Sequence, residues 1–188
     1  VGTVTFPGGT IRNGYYISNI FKATAGNGMD EELGEIVTAV PQDNTQFQIQ
    51  VYTNLTDSSN PVSGTPAYKE PLTYTQPLAG IHTIQLENPV RIPAGTLYSV
   101  VLRLTDGSQK CYVEKSTYSN PSVPASSWFQ TISGIDPNQS FYSVNGQKWT
   151  DAGATSSGYC FSIKAHTKTL NTSTAVIPTP SDNETPVV

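Results

Sequence analysis

The chain has 188 residues, a formal net charge of −4 and a pI near 5.0. Its ten Lys and Arg residues are scattered, which excludes the basic stripe that nucleic-acid binding needs, and no apolar run approaches the roughly 20 residues that span a bilayer. Charged residues are only 13%, against about a quarter in an average soluble domain, and 24 Thr and 19 Ser fill their place, as in a secreted β-protein rather than a cytosolic helical enzyme.

In chain order, Val1 opens directly into the strand-like run VGTVTF with no signal peptide, so the chain reads as a mature or trimmed fragment. Strands are predicted over Thr3–Phe6, Tyr15–Ala23, Gly34–Val40, Thr45–Asn54, Tyr68–Thr75, Gly80–Glu87, Thr96–Thr105, Lys110–Lys115, Ser140–Val144 and Tyr159–Thr167. The clearest is Thr45–Asn54, where Phe47, Ile49 and Val51 alternate with Gln46, Gln48, Gln50 and Tyr52. A period of two marks a half-buried antiparallel strand with one wet face. Asp106-Gly107 and Asn145-Gly146 are tight-turn dipeptides that tolerate positive φ. One helical turn is allowed at Glu31–Gly34, and nothing else carries a helical period. Ten short strands of this kind predict an all-β fold, a two-sheet antiparallel β-sandwich of jelly-roll type. Its expected core is Ile20, Ile36, Phe47, Ile49, Val51, Ile84, Leu86, Val100, Leu102, Leu104, Val113, Phe161 and Ile163, which would interdigitate between sheets about 10 Å apart.

Two segments break the strand rhythm. Residues 116–139 form a long connection with three prolines, Trp128 and Phe129, and connections beyond about 12–15 residues are often functional. The tail NTSTAVIPTPSDNETPVV has no periodicity and reads as a Thr/Pro-rich linker. The expected division is therefore a globular domain over 1–168 and a linker or tail over 169–188. Cys111 and Cys160 both fall in strands, where they are either two buried thiols or a pair within disulfide reach.

Several motifs together resemble a known family: YYISNIFKA, EELGEIVTAV, the VYTN strand, AGIHTIQLENPVRIPAGTLYSVVLRL, QSFYSVNGQKWTDA and YCFSIKAHT. In this order they are similar to the lectin-like domain that accompanies papain-type cysteine peptidases and other surface proteins of Gram-positive bacteria. The likeness runs from about Tyr15 to Thr167. It implies a jelly-roll sandwich, an exported or cell-surface location, and a non-catalytic role beside a peptidase. No peptidase signature is present in these residues, since neither Cys lies in a Gly-rich segment that could cap a helix.

Candidate chemistry follows from this. Pyranose rings stack their apolar face on aromatic side chains, so Trp128, Phe129, Tyr118 and Tyr142 are the expected ligand-binding residues, with Trp149 a structural plug. The cluster Asp30, Glu31, Glu32 and Glu35 is a poor glycosidase pair, because consecutive acids do not straddle a sugar ring. Structural calcium is the better use, as jelly-roll modules resembling this one imply, with Asp30, Glu32 and Asp151 as ligands. His82 and His166 belong to no catalytic motif. Two functions compete: a lectin-like module that binds a glycan or cell-wall polymer, and an interaction module that orients a neighbouring domain of the same chain.

Overall fold

The computed structural model describes residues 2–5, 15–105, 110–115, 136–154 and 158–170. In chain order the strands are β1 (Gly2–Thr5), β2 (Tyr15–Lys22), β3 (Glu31–Val40), β4 (Thr45–Thr53), β5 (Thr65–Pro66), β6 (Leu72–Gln76), β7 (Gly80–Ile92), β8 (Leu97–Leu104), β9 (Lys110–Lys115), β10 (Ser140–Ser143), β11 (Thr150–Asp151), β12 (Tyr159–Phe161) and β13 (Ile163–Thr169). Every pairing is antiparallel. The large sheet runs β11-β10-β2-β8-β4-β5, with β6 also on β4; two three-stranded sheets run β13-β3-β7 and β1-β9-β12. One hydrophobic cluster draws side chains from all three, so the all-β sandwich expected from the sequence is present, with its second layer split in two.

Of the thirteen core residues predicted from alternation, twelve join the hydrophobic cluster; Ile20 is also buried but stands opposite Ser99 on the outward face of β2, because it is in phase with Tyr16 and not with Ile17. On β4 the inward set is Phe47, Ile49 and Val51, against Leu104, Leu102 and Val100 on β8. Burying side chains of this size stabilises by about 1.5–3 kcal/mol each.

The split layer is joined through β12 and β13, which are one run of chain interrupted at Ser162. Backbone groups at such a break need partners, and Asn19 of β2 supplies them. Its Nδ2 donates to the carbonyls of Phe161 (2.9 Å) and Ile163 (3.0 Å). The Ser140 hydroxyl donates to Asn19 Oδ1 (2.7 Å) and accepts the Phe161 N–H (2.9 Å). A buried polar network with every member satisfied ties the large sheet to the point where the chain changes sheets.

Three local expectations need correction. Glu31–Gly34 is the start of β3 and not a helical turn, because Glu31 and Leu33 both point inward, opposite Ile92 and Val90. The only helical turn among the described residues is the 3-10 turn Gly26–Gly28. β6 begins at Leu72 and not at Tyr68, because the Gln50 side chain replaces a strand there: its Nε2 donates to the Tyr68 carbonyl (2.8 Å) and its Oε1 accepts the Tyr68 N–H (3.2 Å). β7 runs on to Ile92 through Pro89. A register jump from Val90 to Gln85, opposite Leu33 and Glu35, takes Pro89 out of the ladder, as bulges and edge strands allow.

Cys111 and Cys160 are free thiols. Cys160 stands opposite Glu114, while Phe161 stands opposite Val113. Strand parity therefore puts Cys111 and Val113 on one face and Cys160 on the other, out of reach of a disulfide. Burial pushes the Cys111 thiol up to about 12 and also raises Cys160, so neither is a ready thiolate nucleophile.

Candidate functional site

The outward face of β2, β8 and β4 is the wet side of the strand alternation. While Ile17, Leu102 and Ile49 face the core in one cross-strand row, Tyr16, Arg103 and Gln48 form the next row on the opposite face. Val101 and Gln50 follow, and then Tyr52, opposite Ser99. These residues floor a small cleft of about 100 Å³ whose sides are Val62 and Pro71 in one direction and Gly146 and Trp149 in the other.

Each wall has a local cause. On one side, the buried Ser99 hydroxyl donates to the Pro61 carbonyl and clamps the loop after β4 over the sheet. Within that loop Asp57 Oδ1 accepts both the N–H (2.8 Å) and the hydroxyl (2.7 Å) of Ser59, which holds the Asp57 carboxyl below its usual range. On the other side the turn after β10 is closed by Ser143 and Asn145. Ser143 Oγ accepts the Gly146 N–H (2.9 Å), and Asn145 Oδ1 accepts the N–H groups of Gln147 (2.9 Å) and Lys148 (3.0 Å). Gly146 sits at φ 74°, and a Cβ there would lie 3.0 Å from the Tyr16 ring. Only glycine brings this turn so close to the ring without strain.

The aromatic groups are ordered by their neighbours. Trp149 meets Tyr16 edge-on, with centroids 6.4 Å apart at 77°, and the Arg103 guanidinium lies 5.4 Å from the Tyr16 centroid. Arg103 Nη1 donates to Gln48 Oε1 (3.3 Å). Tyr52 is half-buried, and its hydroxyl pKa is raised by burial and then by nearby Tyr16. The Trp149 indole N–H is buried and has no acceptor among the described residues. Such a donor is unusual in a native fold. The cleft can offer ring faces, amide groups and a cation to a polar ligand with an apolar face.

Two larger clefts are chemically less suited. One of about 350 Å³ lies on the outer face of the β13-β3-β7 sheet and is lined by Glu32, Glu35, Gln85, His166 and Lys168 among others. Its charges satisfy one another: Lys168 pairs with Glu32 at 2.7 Å, and Glu35 accepts from Gln85 and pairs with His166 at 3.2 Å. These bonds hold the Glu35 carboxyl low, that of Gln85 contributing most. No aromatic ring other than imidazole lines it. The other, about 610 Å³, includes Tyr68, Lys69, Glu70 and Arg91, but the Tyr68 hydroxyl is already committed to the Asn88 carbonyl at 2.8 Å.

None of the ligand-binding residues expected from sequence is among the residues described as lining this cleft. Tyr118, Trp128 and Phe129 lie outside the described residues, as do Asp106-Gly107 and the tail 171–188. Tyr142 stands opposite Ile17 and packs on the core, not in the cleft. The acids expected to share a calcium ion are not brought together. Asp30 takes the Arg91 Nε–H (2.6 Å) and the Ala94 N–H (2.9 Å), the second being the main reason that its pKa is lowered. Glu32 is paired with Lys168. Asp151, on β11 of the large sheet, accepts the N–H groups of Asn138 (2.7 Å) and Gly153 (2.8 Å). Among the described residues no three His, Cys, Asp or Glu side chains are grouped to hold a metal. His82 Nε2 is 2.7 Å from the Leu78 carbonyl. Tyr16, Tyr52 and Arg103 were missed as site residues. The available signal was that Tyr52 belongs to the wet face of the alternating strand, and Trp149 proves to line the cleft as well as to plug it.

The described residues thus form a sandwich with an aromatic and amide-lined cleft on the outward face of its large sheet. The chain belongs to the lectin-like domain family, whose profile matches residues 1–167. Two solved structures share the fold. One is a clostridial cysteine protease, Cwp84, after propeptide cleavage, at 15% identity and a TM-score of 0.64, covering 90% of this chain and 38% of that one. The other holds the cysteine protease and lectin-like domains of Cwp84, a surface layer associated protein of Clostridium difficile, at 16% identity and a TM-score of 0.62, covering 84% of this chain and 33% of that one. The chain thus spans about a third of either, and the likeness is one of fold. No curated protein matches. No helix among the described residues is long and apolar enough to cross a membrane.

Proposed function

We propose that this chain is a non-catalytic glycan-binding module of an exported or cell-surface protein, and that its site is the cleft floored by Tyr16, Gln48, Tyr52 and Arg103 and walled by Trp149. The observation that carries the reading is the convergence of three aromatic side chains with amide and guanidinium groups in one cleft. Sugars present both an apolar ring face and a rim of hydroxyls, and such a lining meets both. Asp30, Glu32 and Asp151, the expected calcium ligands, do not line this cleft. A glycan array probed with the wild-type chain and with Tyr52→Ala tests it. The expected result is binding to a restricted set of glycans that the substitution abolishes, and uniformly flat signals would overturn it.

A second reading is favoured by the solved relatives, in which a lectin-like domain shares its chain with a cysteine protease. Here the domain orients a neighbouring catalytic domain. Its test is whether deleting residues 1–170 from the parent protein changes the neighbour's stability or activity on a small soluble substrate. No change in either would remove this reading.

A further inference from the structure

We infer that Asn27 is a site of spontaneous deamidation in this domain, and that the hydrogen-bonded turn around Asn145 shields the same dipeptide where it walls the cleft. An Asn followed by Gly is open to this chemistry, because a following residue without a Cβ leaves its amide nitrogen unobstructed. The sequence has three such pairs, Asn13-Gly14, Asn27-Gly28 and Asn145-Gly146; the first lies outside the described residues. The other two are equals as dipeptides. Their surroundings are not alike.

Asn27 and its two flanking glycines are exposed and make up the 3-10 turn Gly26–Gly28, with Asn27 in the left-handed region at φ 61° and ψ 24°. No hydrogen bond holds its side chain among the described residues. A turn this short, with glycine on both sides, opens at little cost. Asn145 is exposed as well, but its carboxamide is held: Oδ1 accepts the N–H groups of Gln147 (2.9 Å) and Lys148 (3.0 Å) and the Ser143 hydroxyl (3.1 Å). The nitrogen that would attack is held too, since the Gly146 N–H donates to Ser143 Oγ at 2.9 Å.

In the reaction the Gly28 amide nitrogen gives its proton to base and bonds to Asn27 Cγ, and Nδ2 leaves as ammonia. Water then adds to either carbonyl of the cyclic imide and reopens it, leaving aspartate or isoaspartate; nothing is oxidised or reduced. At Asn27 the new carboxylate stands clear of the cleft, which that residue does not line. At Asn145 the isoaspartate would reroute the backbone of the turn that sets Gly146 against the Tyr16 ring.

The test ages the full 188-residue chain in mildly alkaline buffer, folded and in denaturant. Mass spectrometry of fragments follows Asn13, Asn27 and Asn145 separately. The expected result is conversion of Asn27 roughly tenfold or more faster than Asn145 in the folded chain, as the extra bonds at Asn145 imply, and similar rates for both in denaturant. Ser143→Ala, with a melting curve to show that it folds, should speed Asn145 and leave Asn27 unchanged. Should that variant fail to fold, the folded-to-denatured rate ratio at each site decides in its place. Equal rates at Asn27 and Asn145 in the folded chain, or an Asn27 that converts only in denaturant, overturn the inference. Slow conversion of Asn145 in a folded Ser143→Ala chain overturns the shielding role of the turn.

Discussion

Asn19 shows how much one buried polar side chain can decide. It answers two carbonyls flanking the break at Ser162 and receives the Ser140 hydroxyl, so its removal strands three groups that water does not reach. Each buried group left without a partner costs about 1–3 kcal/mol. Asn19→Ala should therefore lower the unfolding free energy by roughly 3 kcal/mol or more, read from urea denaturation; a change below about 0.5 kcal/mol, the size of an ordinary surface substitution, would show that the network does not hold the sheets. Gly146 decides by lacking a side chain. With φ at 74° and the Tyr16 ring 3.0 Å from a built Cβ, Gly146→Ala should cost about 1–2 kcal/mol and displace Tyr16 from the cleft wall. Ring-proton shifts of Tyr16 by NMR check the second part independently of stability.

At the scale of elements, β7 is an edge strand of 13 residues, with β3 its one strand partner among the described residues. Long edges invite pairing with other chains. Two tyrosines reach across from the large-sheet side to cover it: Tyr68 donates to the Asn88 carbonyl at 2.8 Å and Tyr74 to that of Gln85 at 3.4 Å. The Pro89 bulge interrupts the edge between these contacts and Ile92. The double variant Tyr68→Phe/Tyr74→Phe keeps the rings and loses the bonds, so its stability should fall by only about 1–3 kcal/mol. Amide hydrogen exchange in β7 should speed up, and concentration-dependent association should rise. Unchanged exchange in β7 would assign its protection to β3 alone.

For the whole molecule, the buried acids that resist ionisation set the response to base. Burial raises Tyr68 and Tyr159 from 10.0 to about 12 and Cys111 from 9.0 to about 12, and it raises Tyr98 further still. In the unfolded chain these groups lose their protons near pH 9–10, while the folded chain keeps them. The folded state then binds more protons, so stability is full below pH 9 and falls as pH rises towards 12. Melting temperature should be flat from pH 6 to about pH 8.5 and drop steeply above pH 9.5 or so. On the acid side Asp30, Glu35 and Asp57 have lowered values; Asp57 is exposed and Asp30 and Glu35 are half-buried at the surface, where screening keeps such pairs weak. The acid limb should accordingly be shallower than the alkaline one.

Alternation of apolar and polar residues was enough to read the sandwich, the inward faces of β4 and β8, and a core of which twelve of the thirteen expected residues join the one hydrophobic cluster. That works because a period of two assigns faces locally, with no knowledge of the partner strand. The motif order likewise made the family legible. The same alternation put Gln48, Gln50 and Tyr52 on the wet face, yet it could not say that Tyr16, Arg103 and Trp149 share that face with them, since these come from β2, β8 and the turn after β10. Nor could the acidic cluster reveal that Asp30 would be taken by Arg91 and Ala94, and Glu32 by Lys168, residues 61 to 136 positions away. The split of the second layer at Ser162 was hidden for the same reason, because the groups that satisfy it lie on β2 and β10. Local periodicity determines which side of a strand faces water. Only the tertiary structure, through pairings distant in sequence, decides which of those water-facing side chains meet in one cleft.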